Sequence, residues 1–231
     1  MKDKKKKSKL RYLPRDIVWA IGYTLGWLVF RPKNYYISEE AKKKIKGGSL
    51  IISNHIGFVD PVYLMMAMGY RRQHFIATKE FFSNKFKKFV FEKIFLCICI
   101  DRDNVGTATI KTVVNELKDG ERVTMFPEGH INFEGGGDEI AAFKSGAVLM
   151  ALKGGCPIVP VYIHKRKSLW NRQVTIFGEP IRVTLEGNTL PIMEYIDGKS
   201  QELYKKEVEL ELFYKQIMDK KNKKTNKKGV K

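Results

Sequence analysis

Leu50-Ile51-Ile52-Ser53-Asn54-His55-Ile56-Gly57-Phe58-Val59-Asp60-Pro61 is the stretch whose reading decides the fold. Its apolar, β-branched start reads as a short buried strand. The strand ends at polar Asn54 and His55, so the imidazole emerges at a strand end, where α/β proteins place their chemistry. Asp60-Pro61 ahead of the apolar segment Val62–Met68 is a helix-start signature, with Asp60 as N-cap and Pro61 in the first helical position. Gly57 supplies the dihedral freedom that a sharp reversal between strand and helix requires. So short a connection can bring the Asp60 carboxylate against His55. That contact fixes the tautomer and leaves the other ring nitrogen to take a proton from a hydroxyl. It is the base-plus-orienter half of a triad, with no enzyme nucleophile beside it. The competing reading makes Asp60 a cap and His55 a satisfied polar residue.

Outward from this stretch, strands and helices alternate. Phe75–Thr78 reads as a strand, and Phe82, Phe86 and Phe89 recur at helical spacing with lysines between them. A strand from Phe95 to Ile100 precedes a helix, Thr107–Lys118, closed by Asp119-Gly120. Glu121–Phe126 is the next strand, followed by the Gly-rich loop 135–137 and a helix, Phe143–Leu152, stopped by Gly154-Gly155. Cys156–Ile163 and Gln173–Phe177 are strands, and residues 199–219 form a last amphipathic helix. The alternation predicts an α/β fold: a mostly parallel central sheet flanked by helices, with an N-terminal membrane-docking helical element.

The net charge of +18 in 231 residues is concentrated at the ends. Residues 1–15 and 215–231 each hold eight Lys/Arg and one acid, leaving about +4 for the rest. Such tails are expected to be disordered and to seek an anionic surface, either lipid headgroups or nucleic acid. Between Arg15 and Arg31 lies an uncharged apart from Asp16 segment whose core, Ile17–Phe30, carries Trp19, Tyr23 and Trp27. As a helix that core spans about 21 Å, short of a ~30 Å hydrocarbon layer, and no signal-peptide cleavage site follows it. Basic flanks and interleaved tryptophans suit a helix lying in the membrane interface; the alternative is a buried core helix. The three cysteines, Cys97, Cys99 and Cys156, read as small buried hydrophobes of a reducing compartment. Neither they nor the remaining histidines, His74, His130 and His164, show metal-ligand spacing, so no metal is expected.

A second motif, Phe126-Pro127-Glu128-Gly129, also sits at a strand end and can present a carboxylate to a sugar or glycerol hydroxyl. Together with Asn54-His55…Asp60, Lys79-Glu80, Ile100-Asp101-Arg102, Phe143-Lys144-Ser145-Gly146-Ala147 and Val159-Pro160-Val161, it makes the chain resemble the glycerolphosphate acyltransferase superfamily. Within it, the likeness is to bacterial 1-acylglycerol-3-phosphate acyltransferases. The resemblance implies His55 as general base and Asp60 as its orienting partner. It implies Lys79 and Arg102 as ligands of the acceptor's phosphate, Glu128 and Gly129 as its glycerol-binding residues, and Pro160 as a residue shaping the site. Where that family continues Thr-Arg-Ser, this chain has His130-Ile131-Asn132. Either Arg102, Lys79 and His130 suffice for the phosphate, or the acceptor's head is not glycerol phosphate.

The function so implied moves a fatty acyl chain from acyl-CoA or acyl-ACP, as co-substrate and with no cofactor, to the free hydroxyl of 1-acylglycerol-3-phosphate. The alternatives are another lysolipid acceptor or a basic nucleic-acid binder, the latter disfavoured because no binding motif accompanies the charge. Expected partners are membrane lipids, the acyl donor and the lysophospholipid, with no specific nucleic acid. The expected location is the cytoplasmic face of the cell membrane, peripheral or monotopic. The expected organisation is residues 1–40 as basic tail and membrane-associated helix, 41–219 as the acyltransferase α/β domain, and 220–231 as a basic C-terminal tail.

Overall fold

The computed structural model describes residues 9–69, 71–101, 106–131, 140–166, 168 and 170–228, with side chains to 223. Its helices are α1 (Leu13–Phe30), α2 (Glu39–Lys42), α3 (Asp60–Met68), α4 (Lys85–Phe89), α5 (Thr107–Lys118), α6 (Gly146–Gly154) and α7 (Ile192–Lys228). Its strands are β1 (Lys33–Tyr36), β2 (Ser49–Ser53), β3 (His74–Thr78), β4 (Ile98–Ile100), β5 (Arg122–Met125), β6 (Ile158–Ile163) and β7 (Val174–Phe177). They form one sheet in the order β1-β7-β6-β2-β5-β3-β4. Every neighbouring pair is parallel except β6 and β7. The fold is therefore the expected mostly parallel α/β sheet with helices on both faces.

β2 lies at the centre, and all five of its residues are buried. Its alternation divides the core, as a two-residue period requires. Leu50 and Ile52 pack with Val113, Leu117, Val148 and Leu203 from α5, α6 and α7. Ile51 faces the other way, toward Trp19 of α1 and Leu64 and Met66 of α3. α1 and α3 run side by side: Trp19 Nε1 donates to Gly69 O at the end of α3, and Phe30 meets Tyr63 near its start. The two helices are thus antiparallel, and Phe30, not Leu13, lies near the strand end that carries His55.

Several boundaries differ from expectation for identifiable reasons. The sheet begins at β1, upstream of the expected domain start at 41, because Lys33–Tyr36 pairs with β7 rather than with a sequence neighbour. The strand expected from Phe95 starts only at Ile98, since Leu96 takes a left-handed conformation (φ +52°) that no strand accommodates. The helix expected from Phe143 starts at Gly146, because Lys144 N donates to Pro127 O and ties that segment to the loop after β5. α7 runs from Ile192 to Lys228, through most of the C-terminal stretch expected to be disordered; no Gly or Pro interrupts it between Lys199 and Lys228. Cys99 is exposed rather than buried. The basic stretch 1–8, the Gly-rich loop 135–137 and residues 229–231 lie outside the described residues.

α1 leaves Leu13, Ile17, Ile21, Leu25, Trp27 and Leu28 exposed, so the apolar segment is a half-docked helix rather than a core one. No helix among the described residues is long and apolar enough to cross a membrane.

Candidate active site

The chain leaves β2 at Ser53 and turns into α3 within a few residues, bringing His55 and Asp60 together. His55 Nδ1–H donates to Asp60 Oδ2 at 2.7 Å. Asp60 does not cap α3, as the Asp-Pro signature suggested: the N-cap is Val59, and Asp60 is the first helical residue. Its carboxylate turns back over the preceding turn instead. Oδ2 also accepts from Ile56 N at 2.7 Å and Gly57 N at 2.9 Å. Those bonds hold a side chain that is only 1% exposed. The imidazole is 13% exposed, and its Nε2 has no hydrogen-bond partner among the described residues. Phe126, at the end of the adjacent β5, stacks on the ring with centroids 4.0 Å apart and planes 12° apart. Tautomer, tilt and plane of His55 are therefore all set by neighbours.

Glu128 lies past the end of β5 with its carboxylate turned inward. It is 2% exposed, its Oε1 accepts from His55 N at 2.8 Å, and its Oε2 accepts from Ala141 N at 3.1 Å. Both carboxylate oxygens thus accept main-chain N–H groups from either side of the loop, one of them that of His55. Burial pushes its pKa up, and the two backbone N–H groups counter that in part. Gly129 follows with φ +77°, and a Cβ there would lie 2.8 Å from Lys144 Nζ. The dihedral favours glycine, and any larger residue would also push the flexible Lys144 tip aside. His130 is turned back, its Nδ1 3.1 Å from Glu128 O.

Two supports were not foreseen as such. Asn54 forms a reciprocal pair with the Ile163 peptide at the end of β6: Nδ2 donates to the carbonyl at 2.9 Å, and Oδ1 accepts from the N–H at 2.7 Å. Glu207 of α7 is fully buried behind the turn, and its Oε1 accepts from Asn54 N at 3.3 Å. Burial raises its pKa to about 8, with nearby Glu128 adding to the rise. The signal available was a carboxylate on the apolar face of α7, in line with Leu203 and Leu210. As a result, four consecutive N–H groups, those of Asn54, His55, Ile56 and Gly57, all donate to carboxyl oxygens.

Lys79 lies just past β3, at the same edge of the sheet, with Nζ 3.0 Å from Asp101 Oδ2. Arg102 lies outside the described residues. Pro160 sits within β6, opposite Ile52. No group of three or more His, Cys, Asp and Glu side chains among the described residues could hold a metal ion.

A mostly parallel sheet presenting an oriented histidine at its carboxyl edge is an arrangement compatible with transferases and hydrolases alike, and comparison with known proteins distinguishes them. The acyltransferase family model matches residues 33–164, and the chain belongs to that family. It is similar to the 1-acyl-sn-glycerol-3-phosphate acyltransferase of Bacillus subtilis, with 32% identity over 71% of this chain and 81% of that protein. It is also 31% identical to that of Streptococcus pneumoniae over 48% of this chain, which spans only 40% of that relative. In fold it resembles the crystal structure of the LPA acyltransferase PlsC from Thermotoga maritima, with a TM-score of 0.59, 16% identity, and coverage of 93% of this chain and 84% of that one. The protein is an acyltransferase.

Proposed function

We propose that this acyltransferase moves a fatty acyl chain from a thioester, acyl-CoA or acyl-ACP, to the free hydroxyl of 1-acylglycerol-3-phosphate, yielding phosphatidic acid. The observation that carries the reading is the 2.7 Å contact between His55 Nδ1 and Asp60 Oδ2, which leaves Nε2 open at the sheet edge. Nε2 takes the hydroxyl proton as the oxygen attacks the thioester carbonyl carbon. The tetrahedral oxyanion then collapses, the C–S bond breaks, and the imidazolium returns the proton to the leaving thiolate. Assistance of this kind is worth roughly 10²–10⁴-fold, and holding both substrates in line adds an entropic share.

The acceptor's phosphate is met by side-chain cations: Lys79, Arg102 and, above Gly129, Lys144. The last stands beside the loop where the resembling family carries the arginine that this chain lacks. The substitution of His130-Ile131-Asn132 supports a second reading for the acceptor alone, a lysolipid with another head group. The exposed apolar face of α1 and the basic ends support a peripheral enzyme resting on a membrane surface, in our reading the cytoplasmic one, from which it draws its lipid acceptor.

Purified protein supplied with lysophosphatidic acid or other lysolipids, each with acyl-CoA and acyl-ACP, tests the proposal. Phosphatidic acid formation that disappears in His55→Ala is the expected result. Turnover of other lysolipids with none of lysophosphatidic acid would replace the acceptor, and a near-wild-type rate in His55→Ala would remove the base.

A further inference from the structure

β6 ends at Ile163, whose peptide pairs with Asn54, so the chain leading on to β7 springs from beside the catalytic turn. It returns against the C-terminal end of α1. Gln173 N donates to Phe30 O at 2.9 Å, Arg166 Nη2 to Val29 O at 2.8 Å, and Arg172 Nε to Arg31 O at 3.1 Å. Arg31 in turn donates to the Trp170 carbonyl. Cations belong at this end of a helix, where the last carbonyls lack intrahelical partners and carry the negative end of the dipole. Here two of them come from a distant segment, so helix end and loop hold each other. Arg166 also lies over the Phe30 ring, 5.5 Å from its centroid. The two stretches involved, 27–34 and 164–173, contain two and four Lys/Arg respectively and no acid. A guanidinium has more N–H donors than the one that Arg31 and the two that Arg172 give to main-chain carbonyls.

The side chains displayed on this frame are apolar. Trp170 is 85% exposed, the most exposed large apolar residue among those described. Beside it, in the last turn of α1, Trp27, Leu28 and Val29 are exposed as well. Leu28 ends a stripe, Leu13, Ile17, Ile21, Leu25 and Leu28, that recurs at three- and four-residue spacing along one side of the helix. At the same edge of the sheet, Phe58 stands exposed in the turn three residues past His55. Tryptophans with arginines among them suit the membrane interface, where the indole sits at headgroup level and guanidiniums meet phosphate oxygens. An acidic protein partner would account for the arginines, but not for a tryptophan that adjoins the apolar stripe of α1. We propose that Trp170, Arg31, Arg166 and Arg172 form a second membrane contact, Trp170 at headgroup level and the arginines on lipid phosphates of the bilayer on which α1 lies. The enzyme then rests with the carboxyl edge of its sheet, and with it His55, turned toward the bilayer that holds its acceptor. The proposal rests on the reading of α1 as the membrane-facing helix and adds the orientation.

The test is flotation of the full chain with vesicles of phosphatidylcholine alone and of phosphatidylcholine mixed with phosphatidylglycerol. Trp170→Ala removes an exposed side chain and is expected to weaken binding to both vesicles about tenfold. Leu212→Ala, at an exposed position of α7, should leave binding unchanged. Arg166→Gln/Arg172→Gln is expected to bind mixed vesicles about tenfold more weakly than Lys220→Gln/Lys223→Gln, which removes the same charge from α7. Arg166→Lys/Arg172→Lys should recover most of that loss, and Trp170→Ala carries the test if the arginine variants do not fold. Brominated phosphatidylcholine should quench the emission of Trp170, read as the difference between wild type and Trp170→Phe. Unquenched Trp170 emission, or wild-type binding by Trp170→Ala, would overturn the contact, and equal losses in the Arg→Gln and Lys→Gln variants would overturn the role of the arginines. An Arg→Gln variant that binds vesicles normally but loses turnover with acyl-ACP and not with acyl-CoA would make this a carrier-protein surface, which also overturns the proposal. Failure of the wild type to float with either vesicle would refute the docking role of α1 itself, a result distinct from failure of the loop alone.

Discussion

Glu207→Gln should invert the order of stability of variant and wild type as pH rises. In the folded protein Glu207 is fully buried, its Oε1 accepts one bond from Asn54 N, and its Oε2 has no partner. Burial, with Glu128 adding to it, moves the carboxyl from an ordinary 4.5 to about 8. Between those values the unfolded chain has released a proton that the native chain retains, so stability is lost as pH rises, fully present below 4.5 and gone once pH passes 8. At about 1.4 kcal/mol for each pH unit, that interval sets a ceiling of about 5 kcal/mol. Glutamine keeps an acceptor for Asn54 N and cannot ionise. Its NH₂, however, lands where Oε2 meets nothing, a burden of about 1–3 kcal/mol at every pH. Urea denaturation from pH 5 to pH 9, with matched m-values, should therefore find the wild type more stable at the acid end and the variant more stable at the alkaline end. Parallel curves would show that Glu207 is ionised in the fold, and the account of how α7 supports the catalytic turn would have to be abandoned.

His55→Ala should reduce acyl transfer by about 10²–10⁴-fold or more while circular dichroism and solubility stay as in wild type. Asp60→Asn weakens three bonds to Oδ2 and puts an NH₂ at the unpartnered Oδ1 position, so a drop in kcat should accompany a stability loss of about 1–3 kcal/mol by denaturant titration. Gly129→Ala strains a φ of +77° and displaces the Lys144 ammonium. Its signature should be a higher KM for a phosphate-bearing acceptor, larger than the change in kcat, together with a loss of about 1 kcal/mol in stability.

The readable parts of this chain are those governed by local chemistry. The β-branched run at Leu50–Ile52, Gly57 in the turn and the Gly120 closure of α5 each act on immediate neighbours, and β2, α3 and α5 fall where those signals put them. The contact of His55 with Asp60 follows from the short connection and needs no distant partner. What escaped the sequence depends on distant pairing. β1 is four residues without alternation, made a strand by its partner β7. Glu128 looks like an exposed turn residue until the main chain of His55 and Ala141 is placed on either side of it. Asp60 reads as a cap because Asp-Pro usually is one; here the preceding turn offers three donors, and together they outcompete the single N–H that a cap would satisfy.

The turn after β2 has the form of an anion-binding concavity: successive N–H groups converge just before a helix begins. In this protein the concavity is filled from within. Carboxyl oxygens of Glu207, Glu128 and Asp60 accept those bonds, one from the last helix, one from the neighbouring strand end and one from the turn itself. Two consequences follow for chemistry at Nε2. None of these four N–H groups is open to a developing oxyanion, so its stabilisation must come from donors outside the turn. Nor can the substrate's phosphate settle there, in the position a glycine-rich phosphate loop would offer. On the proposed function, phosphate recognition then falls to lysines on neighbouring elements, Lys79 past β3 and Lys144 over Gly129, where a change of residue would alter the acceptor without disturbing His55.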